Sequence, residues 1–431
     1  MENNPVIEIH RDGRWIPAAH IKPLGDEHAR VEYLPDYVFA DRKPWPISLT
    51  RPVQLTVDLE EERRPLMPAF LYDLVPQGQG RRLLVQLLEL RDHDGLALPL
   101  LLRGAFNPIG ALRIDHAVAF QADYAQRNPP PPGAAAGFSF AELADRQEAA
   151  VEYLATHSML ASGTTGVQGQ APKFLLAMDR EGQLHPDLAL PDAQARSHWL
   201  VKGERGRHRD DKLILRSEAA YLRLAADCGL QVHAVDQIQQ HGGWLLLPRF
   251  DRKVTEAGVH RLAQESLASL AGLQGFGVPT NLNRLLEALR THSHDPSADT
   301  LEFLKRDVLN QALRNTDNHA RNHAVQRRAD GSIRLTPLYD FAPMFRDPEL
   351  IPRTLHWVDR DKRNLREWPD ILPHLPVDDA ELRTLQESLR AFSETVGQLP
   401  ERAAKAGVDA EIIAACARSI DAQAESLAKL S

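Results

Sequence analysis

Two short stretches of this sequence carry the side chains that phosphoryl transfer requires. That chemistry asks for little covalent help: a base or anchor for the acceptor hydroxyl, oxygen ligands for magnesium, and cations on the phosphates. Asp317 and Asn322 stand in the run Asp317-Asn318-His319-Ala320-Arg321-Asn322. This is the D-x-x-x-x-N spacing by which one kinase loop supplies both a catalytic Asp and a metal-binding Asn. Eighteen residues beyond Asn322, after the strand-like run Ser332-Ile333-Arg334-Leu335-Thr336-Pro337-Leu338, comes Tyr339-Asp340-Phe341. Asp340 there ends a strand and can hold a metal as the Asp of D-F-G does. Asp317, with His319 beside it, forms the catalytic pair expected from the sequence, and Asn322 and Asp340 are the expected metal ligands. Asp and Asn also make turns and caps routinely, so the loop gains its weight from the Tyr-Asp that follows.

The cations are sought upstream, where a lysine should point from a strand toward phosphates and be held by a glutamate on the next helix. Lys202, ending the apolar run His198-Trp199-Leu200-Val201, fits, with Glu218 on the following helix as its expected partner. A strand-end lysine is more often simply solvated, so the order of elements is what recommends Lys202. The Gly-rich stretch Ser162-Gly163-Thr164-Thr165-Gly166-Val167-Gln168-Gly169-Gln170-Ala171-Pro172-Lys173 precedes another strand. Backbone N–H groups around Gly166 and Gly169 can cover phosphates there, with Lys173 adding charge. It lacks G-K-[ST] and a following helix, so it is not a Walker A loop, and a plain flexible hairpin explains it as well. His319 and His323 have a helical ligand spacing, yet neither H-E-x-x-H nor a cysteine pair accompanies them, which argues against a zinc hydrolase.

These residues need two kinds of element to position them. The first hundred residues read as short strands and turns, with Asp12-Gly13 as a hairpin signal and further strand expected in Pro44 to Thr50, Arg51 to Leu59 and from Leu71. Four consecutive prolines, 129–132, mark a linker and a boundary near 128–136. Strands Lys173 to Asp179, His198 to Glu204 and Trp244 to Lys253 follow, with a helix Ser217 to Val232 capped by Ser217 and stopped by glycine. From about residue 256 the pattern is mainly helical, beginning at His260 to Leu273. The expected organisation is an α+β subdomain over 1–130, a strand-rich N-lobe over 131–255, and an all-helical C-terminal lobe over 256–431. A strand-rich lobe followed by a helical one is the layout of a two-lobed phosphotransferase.

Composition is compatible with this. A hydrophobic fraction of 43% and a charged fraction of 26% are those of a folded globular protein. The two cysteines, Cys228 and Cys416, sit in separate helical patterns, which suits a reducing cytosol. The N-terminus has charges where a signal core would lie, and no membrane span is read, so a cytoplasmic location is expected. A net charge of -8 disfavours general affinity for nucleic-acid backbone.

Taken in order, these segments resemble the HipA family of bacterial toxin kinases over most of the chain. Pro46-Ile47-Ser48-Leu49-Thr50 and Pro68-Ala69-Phe70-Leu71-Tyr72-Asp73-Leu74-Val75-Pro76 resemble its N-terminal unit, and Gly169-Gln170-Ala171-Pro172-Lys173 its phosphate loop. Lys202 matches its strand lysine, Ser217-Glu218-Ala219-Ala220-Tyr221 its glutamate helix, and Pro248-Arg249-Phe250-Asp251-Arg252 its strand and hinge. Thr316 to Asn322 is similar to its catalytic loop, and Thr336-Pro337-Leu338-Tyr339-Asp340 to its metal-binding strand end. The resemblance implies a two-lobed protein-kinase-like fold and a Ser/Thr kinase using ATP and Mg2+. It implies a protein acceptor, with aminoacyl-tRNA synthetases the known kind, and a helix-turn-helix antitoxin that brings DNA and an oligomer through its own dimer. It adds Arg249 and Phe250 to the nucleotide-binding set. Two positions depart: Gly166 stands where many relatives carry an autophosphorylated serine, and Pro248 where an acidic hinge residue is common.

Two other readings share parts of this pattern. A small-molecule phosphotransferase would also carry D-x-x-x-x-N, but usually with His-Gly near the loop and a D-x-D element, where this chain has Arg314-Asn315-Thr316 and Tyr339-Asp340-Phe341-Ala342. A non-catalytic kinase-like module that only binds partners would have no use for the retained catalytic side chains.

Overall fold

Asp12 and Gly13 both take positive φ, 51° and 76°, the mirror-image turn that matches strand twist, so β1 (Val6–Arg11) folds back as β2 (Arg14–Pro23). With β3 (Ala29–Tyr33) and β4 (Leu112–Ile114) they form an antiparallel sheet in the order β3-β2-β1-β4. The computed structural model describes residues 4–40, 43–56, 64–129, 137–145, 173–206, 208–256 and 258–430. The Gly-rich stretch up to residue 172 and most of the expected linker lie outside these residues.

The chain gathers into two compact units, one of residues 1–203, 246–278 and 326–329, the other of 204–245, 279–325 and 330–431. In the first, alternate residues Ile7 and Ile9 of β1 and Ile21 of β2 face α1 (Gly78–Leu87), α2 (Ala97–Gly104) and α3 (Asp115–Arg127) in one apolar core with Leu71, Leu100 and Leu101. Each such side chain contributes roughly 1.5–3 kcal/mol by leaving water. A second strand group has β5 (Lys173–Met178) paired antiparallel with β6 (Leu184–Pro186) on one side and β7 (Ser197–Gly203) on the other.

Of the segments expected as strand at 44–50 and 51–59, the described residues, 44–56, take no strand. Pro44, Pro46 and Pro52 have no N–H to donate, and Ser48 satisfies the backbone locally, its Oγ accepting from Thr50 N at 3.2 Å. Ser48 and Leu49 serve another purpose. The Ser48 hydroxyl and the Leu49 N–H donate to the buried Glu265 carboxylate at 2.7 and 2.8 Å, with Ser269 Oγ donating at 2.6 Å. Asp73 likewise accepts from Ser266 N and Oγ. The run His260 to Leu273, expected as a helix, instead completes the strand Gly258–Arg261 and contains the strand Gln264–Ser266, in which Glu265 and Ser266 are held as anchor points; Leu267–Leu270 is helical, capped by Ser266.

Burial pushes Glu265 from 4.5 up to about 7. Its folded pKa lies above its unfolded one, so the stability it contributes is complete below about 4.5 and is lost as pH rises through 7. The difference is on the order of 3 kcal/mol. Burial lowers His10 to about 4 and His323 to about 3, which acts in the opposite sense. The comparison with Glu265→Gln isolates the term: the variant should lose stability less than the parent between pH 5 and 7.5 in denaturant titrations. Parallel curves would refute this assignment.

The second unit is mainly helical: α4 (Arg209–Asp227), α5 (Leu282–His292), α6 (Pro296–Ala312), α7 (Asp379–Gly397), α8 (Leu399–Ala406) and α9 (Ala410–Ala428). It also carries short strands, among them the hairpin Trp357–Val358 with Asn364–Leu365. Helix α4 begins eight residues before Ser217, so Ser217 is not its cap. His208 caps it instead, accepting from Asp210 N, and Asp210 and Asp211 favour the first turn. Ser217 lies mid-helix, its hydroxyl donating to Leu213 O at 2.7 Å. The expected glycine stop holds: Gly229 at φ 82° lets Leu230 N reach back to Ala225 O.

Candidate active site

Helix α6 sets both halves of the candidate site within the second unit. Its N-terminus has Pro296 in the first turn and the Asp295 side chain accepting from Ala298 N. One turn on, the fully buried Asp299 accepts two bonds from Arg334 and one from Leu335 N at 3.0 Å. This pins the strand Ile333–Leu335 that leads to Tyr339 and Asp340. At the other end Arg314 takes φ 55°, with Asn315 N bonding Asn310 O and Arg314 N bonding Gln311 O. These are the two bonds of a Schellman ending, and they release the chain into the 315–322 loop.

Asp340 does not end a strand as expected, since the strand stops at Leu335, but the Tyr339-Asp340 segment beyond it is tied to the loop. Tyr339 Oη donates to Arg321 O at 2.8 Å, and Asn315 Nδ2 lies 3.4 Å from Asp340 O. Asp340 itself sits at φ 50°, a left-handed conformation that costs a non-glycine residue on the order of 1 kcal/mol and persists where surroundings fix it. Asn322 Nδ2 donates to the carbonyl of Asp317 at 2.7 Å. The same carboxamide's Oδ1 is buried and has no hydrogen-bond partner. A buried unpaired acceptor is costly, and an amide oxygen is one of the hard oxygen donors that magnesium takes. The residues fit that ion. Among the described residues no group of three His, Cys, Asp or Glu side chains assembles as a metal site. His319 Nε2 lies 3.9 Å from the Asp317 carboxylate. His323 is buried, lowered to about 3 by burial and by Arg306, and so stays neutral.

Lys173 and Lys202 belong to the first unit and are direct cross-strand partners of β5 and β7. Opposed residues of an antiparallel pair have side chains on one face, Cβ atoms about 5 Å apart. The structure thus brings two expected phosphate contacts side by side. Lys202 is buried, and Glu218 lies buried in α4 of the other unit. The hinge segment is held from within: Arg249 N donates to His198 O, and Phe250 O accepts from Gln326 Nε2 at 3.2 Å. The Arg249 guanidinium is buried and committed to carboxylates, bonding Asp251 through Nε and Nη2 at 2.9 and 2.7 Å and Asp187 through Nη1 at 2.8 Å. Arg249 anchors the segment. Gly166 and Gly169 lie outside the described residues.

Sequence reasoning missed Asp307, Asn318 and Arg353 as participants. One signal was available: Asp307 falls on the same helical stripe as Phe303 and Asn310, a carboxylate among residues that α6 buries.

The family expected from the sequence is that of the HipA-type proteins, and comparison with known proteins bears it out. Residues 165–424 match the HipA-like C-terminal domain, and the chain belongs to that family. Among solved structures it is similar to HipA of the Shewanella oneidensis MR-1 toxin-antitoxin system, in a complex with HipB and operator DNA. The TM-score is 0.62 at 17% identity, covering 97% of this chain and 96% of that one. At that identity the likeness shows the fold. The Helicobacter pylori proinflammatory kinase CtkA matches with a TM-score of 0.37 and 15% identity, over 54% of this chain and 86% of its own, too slight a likeness to argue from. No helix among the described residues is long and apolar enough to cross a membrane.

Proposed function

We propose that this chain is an ATP- and magnesium-dependent serine/threonine kinase of the HipA toxin type that phosphorylates a protein hydroxyl. The observation that carries the proposal is the Asn322 carboxamide, whose nitrogen is fixed on Asp317 O while its buried oxygen lacks a partner. Asp317 takes the proton of the acceptor hydroxyl as that oxygen bonds to the γ-phosphorus and the bond to the bridging oxygen of ADP breaks. Asn322 and Asp340 would hold magnesium, which when bound offsets the negative charge of the phosphates. Lys173 and Lys202 bind and orient the polyphosphate. His319 lies beside Asp317, its Nε2 3.9 Å from the carboxylate. An aminoacyl-tRNA synthetase is the acceptor class the family resemblance favours. The neighbouring structure's complex with HipB and operator DNA supports an antitoxin partner, and the family resemblance favours a helix-turn-helix protein through which DNA is reached.

The nucleotide half is tested by thermal unfolding with ATP, with and without magnesium. A ligand at a hundred times its Kd stabilises the native state by about 2.7 kcal/mol, so the melting point should rise by a few degrees. The magnesium-dependent part should vanish in Asp340→Ala, and Lys202→Met should weaken the whole shift. No shift with ATP and magnesium would count against the proposal.

A further inference from the structure

The Asp307 carboxylate is 1% exposed and is surrounded by donors. Oδ1 accepts from Arg353 Nη2 at 2.6 Å and lies 3.4 Å from Asn318 Nδ2; Oδ2 accepts from Trp357 Nε1 at 2.8 Å and Gln311 Nε2 at 3.0 Å. A carboxylate only accepts, so it dictates which end of the neighbouring amide faces it. The Asn318 NH2 group must turn to Asp307 and its oxygen to His323, whose Nε2–H donates at 2.6 Å. His323 is held in turn by Phe303, edge to face, with ring centroids 5.0 Å apart. Asn318 follows Asp317 in the chain, and His323 follows Asn322. One buried polar chain therefore fastens the loop at both ends of the D-x-x-x-x-N stretch.

We infer that Asp307 is a positioning residue, which through Asn318 and His323 sets the backbone that presents Asp317 and Asn322. Its effect on the loop rests on this geometry alone, and its effect on turnover rests on the kinase reading above. Three of its four donors, from Arg353, Trp357 and Gln311, serve packing around α6. Only Asn318 connects it to the loop, so the connection can be cut without touching the rest.

The test uses the full chain carrying Asn318→Ala, with Asp307→Asn beside it, and reads ATP kinetics together with amide hydrogen exchange. Asn318→Ala keeps the Arg353, Trp357 and Gln311 bonds and remains informative if Asp307→Asn folds poorly. The expected result is a fall in kcat of at least tenfold with KM for ATP within about twofold, and faster exchange in peptides covering residues 317–323. A raised KM with unchanged kcat would overturn the inference, as would unchanged exchange or unchanged turnover in Asn318→Ala. If the parent protein transfers no phosphate yet Asn318→Ala exchanges faster in this loop, the clamp stands and the kinase reading fails.

Discussion

Replacing Asp317 by alanine should lower phosphoryl transfer by about a thousandfold or more while leaving the ATP-induced rise in melting temperature nearly intact. The size follows from what is removed. Asp317 is the only carboxylate within the 317–322 loop, and its carbonyl is held by Asn322, so the side chain is presented by a fixed backbone. A positioned base contributes roughly two to four decades of rate, and alignment of the acceptor adds to that. Because Asp317 carries no ladder bond of the sheet that bears Lys173 and Lys202, nucleotide binding through those lysines should survive. Asp340→Ala should differ, losing turnover and magnesium-dependent binding together. Equal loss of binding in both variants would assign Asp317 to the metal rather than to the acceptor.

The second large effect concerns stability. Asp251 accepts from Arg249 Nε and Nη2, from Arg252 Nη1 at 2.6 Å and from Gly110 N at 2.9 Å, all out of contact with water. Burial alone would raise its pKa, but Arg249 and Arg252 overcome that and hold it well below the ordinary carboxylate range. Burial and the neighbouring Arg249 push Arg252 down to about 9. Asp251→Ala would leave these two guanidinium groups with Asp187 as their remaining close carboxylate. Breaking a buried ion pair from one side costs about 3–5 kcal/mol, and this variant should fall in or above that range in urea unfolding. Asp251→Asn, which keeps the volume and part of the bonding, should cost less. A change below about 1 kcal/mol would show that solvent reaches the cluster.

The parts of the structure that were legible in the sequence are those whose causes are local. Asp12-Gly13 and the Gly229 stop depend on neighbours within a few residues, and the strands of Lys173 and Lys202 are each marked by their own apolar run. Ser217 has the residue type of a cap, but the helix begins in the charged stretch before it, with Asp210 and Asp211 in its first turn. The region from His260 to Leu273 has helical spacing, but Glu265 and Ser266 are claimed by Ser48 and Asp73, 217 and 193 residues away. Tertiary anchoring outweighs propensity there. Arg353 and Trp357 reach Asp307 across 46 and 50 residues, and no local pattern announces such a pair. The family-like segments at 46–50 and 68–76 were recognisable as similar before their role was. Ser48 and Asp73 within them turn out to be the groups that fasten the N-terminal segments to Glu265 and Ser266.

The most direct test of the central claim is transfer of the terminal phosphate of labelled ATP by the purified full chain, with magnesium or with chelator, onto proteins of a cell extract. The account predicts magnesium-dependent label on serine or threonine of a protein acceptor, absent with Asp317→Ala. Label that is equal with Asp317→Ala, or found only on small molecules, would contradict it.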